Sequence, residues 1–274
     1  MSGIRRLLFQ AATLLGTARG FFIPYRHAAK VRPPEAYPAL ARRFEAARST
    51  FLGGLDAIAA HRDTLLAFGS GKPPAPRWEQ DWFPGLDAAF AYALVRERRP
   101  RRIVEIGSGH STRFLARAVA DGNLATRITC IDPDPRAALE GLAVAWHRHR
   151  LEETGCALDT LAAGDVLFVD SSHILMPGTD VDHVLGRILP VLPAGALVHF
   201  HDIFLPEPYP ADWAWRGYNE QNAVAGLLAG SGFDLVWGSA WIARNMQAEI
   251  AARGLDAIPM PKGAHAASLW LAKR

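Results

Sequence analysis

The sequence predicts an α/β protein, a mostly parallel sheet covered on both faces by helices and preceded by a helical segment. Three observations predict it. From Trp82 onward, short apolar runs alternate with helix-patterned segments. The first of these runs leads at once into a glycine turn, Gly107-Ser108-Gly109, which opens a helix. The first eighty residues carry helical spacing punctuated by prolines, with no strand-like run. In sheets of this kind ligands sit beyond the carboxyl ends of the strands, so chemistry is sought there.

Residues 1–80 read as a helical arm or cap, and residues 81–274 as the α/β domain. The opening MSGIRRLLFQAATLLGTARG has a basic start, but Gln10, Thr13, Thr17 and Arg19 interrupt its apolar core. It reads as an amphipathic helix and not as a signal peptide. Pro33-Pro34 breaks that segment, and Leu40, Phe44, Phe51, Leu55, Ile58 and Leu65 then recur at helical spacing. Residues 69–76, GSGKPPAP, read as a linker. Within the α/β part the pattern gives helices at 86–98, 112–120, 180–189 and 219–228, and one opened by Pro135. Strands are expected at 102–106, 128–131, 165–170, 195–201, 233–238 and 267–271, with a weak one near 148–151. Trp237 and Trp241 read as core or edge residues.

The 274 residues are half hydrophobic and one-fifth charged, which suits a soluble globular core. Net charge is +3, yet residues 1–50 hold nine Lys/Arg against Glu35 and Glu45, leaving the remainder at −4. Attraction to a polyanion or an acidic membrane surface would sit in that basic arm, and a solvated helix face is the plainer reading. Cys130 and Cys156 lack metal-ligand spacing and read as small buried residues in a reducing cytoplasm. No apolar run has the length of a membrane span.

The run Glu105-Ile106-Gly107-Ser108-Gly109-His110-Ser111-Thr112 narrows the fold further. A dinucleotide fingerprint would place its third glycine at position 112, where Thr112 stands, and an acidic residue precedes the turn. This run resembles the first motif of class I S-adenosylmethionine-dependent methyltransferases, with Ser111 in place of the last glycine. The resemblance covers about residues 82–274 and implies a Rossmann-like sheet of seven strands, mostly parallel, with an N-terminal helical extension. It implies that Glu105 meets the amino-acid end of the cofactor, partly through water, and that Asp132 holds the ribose hydroxyls. Gly107, Ser108, Gly109, Ser111 and Thr112 would complete the cofactor cradle. For the adenine contact, Glu152, Glu153 and Asp165 are all open.

The ends of the fourth and fifth strands carry Asp170 and the pair His201-Asp202, in LFVDSSH and VHFHD. This arrangement looks like the small-molecule O-methyltransferases of the catechol and macrocin type, which place an acid after strand four and an acidic or amide pair after strand five. The resemblance implies a divalent cation, Mg²⁺, held by Asp170, His201 and Asp202, with His201 a departure from the usual pair. Asp170, His173 and His201 are the catalytic candidates, His173 as general base and His201 as its rival in the absence of metal. His199, on the same strand face as His201, fits a packed and hydrogen-bonded role. Tyr209, Trp213 and Trp215 in the loop 204–218 suit either a substrate wall or a platform for the N-terminal helices. The expected activity is O-methylation of a small molecule, a sugar or a phenol. A metal-dependent hydroxylase-like reaction and a non-catalytic, partner-binding subunit are the alternatives. Nucleic acid is disfavoured, because no NPPY-type tetrad follows strand four. A homodimer and a weak membrane-surface contact through the arm are the expected associations.

Overall fold

The computed structural model describes residues 2–17, 19–21, 23–32, 35–69, 71–153 and 161–274. Its centre is one seven-stranded sheet of order β3-β2-β1-β4-β5-β7-β6. The strands are β1 (Arg102–Ile106), β2 (Arg127–Ile131), β3 (Val144–His147), β4 (Val166–Val169), β5 (Leu197–Phe200), β6 (Phe233–Gly238) and β7 (Leu269–Lys273). All neighbours run parallel except β7, which is antiparallel to both β5 and β6. The class I methyltransferase sheet, Rossmann-like in its parallel part, is thereby seen directly. The inner strands β4 and β5 are buried at every position, as strands covered on both faces are; β4 is an unbroken apolar run and β5 is apolar except for His199. Edge strand β3 alternates partial burial with exposure.

Helix α5 (Leu86–Arg98) is apolar nearly all round, and residues 86–95 are all buried. Such a helix needs cover on both sides. The sheet covers one side; α3 (Arg48–Ala60) packs on another, with α2 (Pro38–Ala46) against α3 and α4 (Arg62–Leu66) following it, and α6 (His110–Asp121) lies alongside. Phe44, Phe51, Leu55, Ile58 and Leu65 from these helices are fully buried in the same core as the strands. Gly54 lets α3 approach closely, since a Cβ there would lie 2.6 Å from the Trp237 ring. Trp237 in turn stacks on Phe90 of α5 with centroids 4.2 Å apart. By contrast α1 (Ser2–Leu14) leaves Ile4, Leu7, Leu8 and Leu14 exposed. Among the described residues no helix is long and apolar enough to cross a membrane.

Several expected elements differ. No helix follows Pro135: the Arg136 N–H donates to the Ser108 carbonyl, and the Ala138 carbonyl accepts from the Arg113 guanidinium. The weak strand lies at β3, several residues before its expected place, with a short 3₁₀ turn at Leu151–Glu153 beyond it. The helix expected at 180–189 is one turn of α7 (Asp180–His183) widening into a π turn over Val184–Ile188, with Pro190 immediately beyond. Helices α9 (Ser239–Asn245) and α10 (Gln247–Ala252) occupy a stretch with no sequence expectation. Cys130 is a buried free thiol, while Pro33, Pro34 and Cys156 lie outside the described residues.

Candidate active site

The carboxyl ends of β1, β2, β4 and β5 open on a cavity of about 630 Å³, within the range of small-molecule sites. At one end stands the glycine turn. Gly107 has a positive φ of 76°, and a Cβ on it would fall 1.7 Å from the Asp170 carbonyl oxygen, so only glycine fits. A Cβ on Gly109 would crowd the Ala137 nitrogen and the Arg136 Cβ, both at 3.2 Å. Asp132, at the end of β2, accepts from the Ser108 N–H at 2.6 Å and Ser108 Oγ at 3.0 Å, and from the Asp134 N–H at 2.8 Å. These bonds fix its carboxylate on the cavity wall with lone pairs to spare.

The remaining turn residues divide. Gly107, Ser108, Ser111 and also His110 line the cavity. Glu105, Gly109 and Thr112 do not. Glu105 is fully buried behind the turn, accepting from Ser111 Oγ at 2.5 Å and Thr112 Oγ1 at 2.6 Å, while Thr112 Oγ1 accepts the Gly109 N–H. The structure does not bring Glu105, which the sequence reading places at the cofactor, to the cavity wall; it braces the turn from behind. Burial raises its carboxyl to about 7, against a partial offset from those hydroxyls. The first N–H groups of the turn are taken up within the protein. Those of Gly107, Ser108 and Gly109 bond to Ile131, Asp132 and Thr112. Of the three adenine candidates, only Glu152 lines the cavity. Asp165 accepts the Arg102 and Ala162 N–H groups at the opposite end of the sheet, and Glu153 pairs with Arg150 on the surface.

At the other end the sheet brings Asp170, His173, His201 and Asp202 together, all on the cavity. The register carries this: the Asp170 N–H bonds to Ile106 of β1, and the His201 N–H to Val169 of β4. His173 Nε2 lies 3.4 Å from Asp170 and 3.4 Å from Asp202, while its Nδ1 lies 2.9 Å from Glu220. Burial pushes the His173 ring toward neutrality, but the hydrogen bonds to Asp170 and Glu220 and the charge of Asp202 win, holding it well above its ordinary value. His201 Nε2 is 3.5 Å from Asp202, and here too burial is outweighed, by Asp170, Asp202 and Asp87. For Asp170 burial acts upward, but His201 and His173 hold it down to about 2. His173 and Asp202 both adopt positive φ, 59° and 55°, a conformation that costs about 1 kcal/mol or more each and tends to persist where a site demands it. His199 sits behind the cluster, stacked on Phe168 at 3.7 Å and bonded to Ser268, and does not reach the cavity.

Two functional neighbours escaped the sequence reading. Glu220, at the start of α8 (Glu220–Ala229), is fully buried; its N–H and that of Asn219 donate to the His173 carbonyl. Its only sequence signal is an acidic residue in a helix's first turn, which ordinarily means a favourable helix terminus. Arg216 lies over Trp213 at 3.8 Å and reaches toward Asp202 at 3.8 Å. Trp213, Arg216 and Tyr218 line the cavity, so the loop serves as wall, while the Tyr37 N–H to Pro206 carbonyl bond ties the same loop to the helical region.

The cavity also presents buried polar atoms without a partner among the described residues: His110 Nδ1, Ser171 Oγ and Arg216 Nε. Buried polar groups are ordinarily satisfied, so these await a polar ligand. Burial, with Arg113 and Arg77, lowers His110 to about 4, leaving a neutral ring able to donate or accept.

Residues 104–203, from β1 to just past β5, match the family model described as a methyltransferase domain. The chain carries a methyltransferase domain. Among solved structures, the methyltransferase resembles PaMTH1 of Podospora anserina, bound to SAH, at 18% identity. That match covers 93% of this chain and 99% of the other at a TM-score of 0.42. It also resembles an O-methyltransferase from Bacillus cereus in complex with SAH, at 15% identity, covering 86% and 98% at a TM-score of 0.41. These superpositions are loose, and the methyltransferase fold rests on the strand order itself. A comparison with curated proteins finds no match.

Proposed function

We propose that this methyltransferase moves the methyl group of S-adenosylmethionine to a hydroxyl oxygen of a small molecule. One observation carries the reading: a single cavity joins the fixed carboxylate of Asp132 to the carboxylate and histidine cluster around Asp170. A ribose diol bound at Asp132 and a reacting hydroxyl at Asp170 would thus share one enclosure, and the orphaned His110, Ser171 and Arg216 atoms offer it further hydrogen bonds. The cofactor, when bound, supplies an electrophilic methyl carbon whose bond to sulfur breaks as the bond to oxygen forms.

The chain's own residues have three tasks. Asp170 has the most open side chain of the carboxylates around His173, and it accepts the hydrogen of the incoming hydroxyl and aims a lone pair. Its low basicity is sufficient, because the proton is released fully only as the oxygen gains its methyl group and becomes a far stronger acid. Trp213, with Arg216 stacked on it, forms a flat wall that suits a planar or ring-shaped acceptor. Phe83, Ile106 and Ile131 contribute the apolar lining that keeps water scarce.

A divalent cation assisting this transfer, Mg²⁺ above all, does not fit the donor set. Mg²⁺ takes oxygen ligands in a tight octahedron, whereas His201 offers an imidazole and His173 Nε2 already stands between the two aspartates. Among the described residues no three His, Cys, Asp or Glu side chains converge as ligands.

The test is calorimetric titration of the full chain with S-adenosylhomocysteine, followed by acceptor screening with labelled S-adenosylmethionine. Binding that weakens at least tenfold, about 1.4 kcal/mol, in Asp132→Ala supports the reading. No binding to the folded wild type sinks it.

A further inference from the structure

The His173 ring occupies the one place where the carboxylates of Asp170 and Asp202 converge. Its Nε2 is 3.4 Å from each, and its Nδ1 is anchored by Glu220 at 2.9 Å, so three carboxylates surround a single imidazole that can donate from both nitrogens. The ring is buried and packs against Tyr218 with centroids 4.6 Å apart. Its backbone is fixed in a positive φ, and its carbonyl is held by two N–H groups at the start of α8. These contacts lock the ring in place, and Glu220, 0% exposed, holds it through Oε2.

We infer that the His173 ring, locked by Glu220, occupies the place where a divalent metal would sit between Asp170 and Asp202, so that this active site holds its carboxylates in place without a metal ion. The geometry explains both unexpected residues at once. The ring has a carboxylate at each nitrogen, Glu220 at Nδ1 and the two aspartates at Nε2, so the imidazole itself spans the gap that a bridging ion would fill. His201 is consistent with this arrangement, since it adds a second nitrogen base to Asp202 where a metal site for Mg²⁺ would add oxygen. Glu220 is thus a positioning residue: it acts on the pocket through His173.

The inference relies on the methyltransferase reading for what the pocket does, but its test does not. Mn²⁺ is titrated into the full chain, with and without S-adenosylhomocysteine, and the free-ion spectrum is followed by electron paramagnetic resonance. Wild type is expected to leave that spectrum unchanged up to roughly millimolar Mn²⁺. His173→Ala, folded by circular dichroism, is expected to remove one equivalent of signal, because the vacated seat faces two aspartates. His173→Gln is the second variant should alanine cost the fold. Uptake of one Mn²⁺ per chain by wild type overturns the inference. So does a folded variant that leaves the spectrum untouched, since His173 would not then be what fills the seat. A failure of S-adenosylhomocysteine to bind would count against the proposed function alone.

Discussion

Gly107 shows how little freedom individual residues have at this site. Its missing Cβ makes room for the Asp170 carbonyl, so the cofactor turn and the reactive cluster touch through backbone. Gly107→Ala must either push β4 away or lose the positive φ, and both distort the cavity. The expected outcome is a loss of about 2 kcal/mol or more in urea unfolding, with S-adenosylhomocysteine binding lost under conditions where the variant remains folded. Unchanged binding would mean that the turn and β4 are not in contact. The glycines, Asp132, Asp170, His173, His201 and Asp202 were legible in the sequence because each sits within two or three residues of a strand end, and strand ends can be located from apolar runs. Glu105 was legible as important but not in its role. Nothing in the local sequence says that Ser111 and Thr112 turn their hydroxyls back upon it. Glu220 lies 47 residues from His173, and a contact across that separation has no local signature.

At the level of elements, periodicity located what burial dictates and missed what hydrogen bonding dictates. Helix α5 has the predicted bounds because an apolar helix must be covered, and its apolar surface is written in its residues. The absent helix after Pro135 had an acceptable start signal, but the Arg136 N–H bonds to Ser108 of the glycine turn and the Ala138 carbonyl to the Arg113 guanidinium, tertiary contacts invisible in spacing. The helices in residues 38–66 show the same distinction. Their apolar stripes were readable, whereas their closeness to β6 depends on Gly54 lying against Trp237. Gly54→Val therefore has to move a ring that is sandwiched between Phe51 and Phe90. Overpacking of this kind costs about 1–3 kcal/mol, opposing the gain a β-carbon brings to a helix interior. A thermal midpoint lowered by several degrees, with S-adenosylhomocysteine affinity little changed, is the expected outcome, because the contact is remote from the cavity. A midpoint at or above that of wild type would show that α3 can shift to accommodate the side chain.

For the molecule as a whole, the buried brace at Glu105 ties stability to pH in a direction opposite to that of an ordinary ion-paired acid. Its carboxyl is raised by burial from 4.5 to about 7 in the folded chain. Between those values the unfolded chain has released the proton while the folded chain retains it, so stability falls as pH rises through the window. Above it, the charged and buried carboxylate costs up to about 3 kcal/mol relative to acid conditions. His173 and His201, also raised, contribute stability that is lost as pH climbs through their folded values, so they act in the same sense. Asp170, held down to about 2, withdraws its contribution only on the acid side of 3.8 and leaves this window untouched. The Glu105 share is isolated by comparing wild type with Glu105→Gln, which keeps the shape and cannot ionise. Urea unfolding at about pH 5 and about pH 8 should show the difference between the two proteins moving in favour of the glutamine variant as pH rises, by roughly 2–3 kcal/mol. The variant still loses part of the Ser111 and Thr112 hydrogen bonding, so it is expected to be the less stable protein at the lower pH. A difference that stays constant between the two pH values would mean that Glu105 does not titrate in the folded chain. The acid beneath the glycine turn would then be an ionised group satisfied by its two hydroxyls, and the turn would be held by charge instead of by a retained proton.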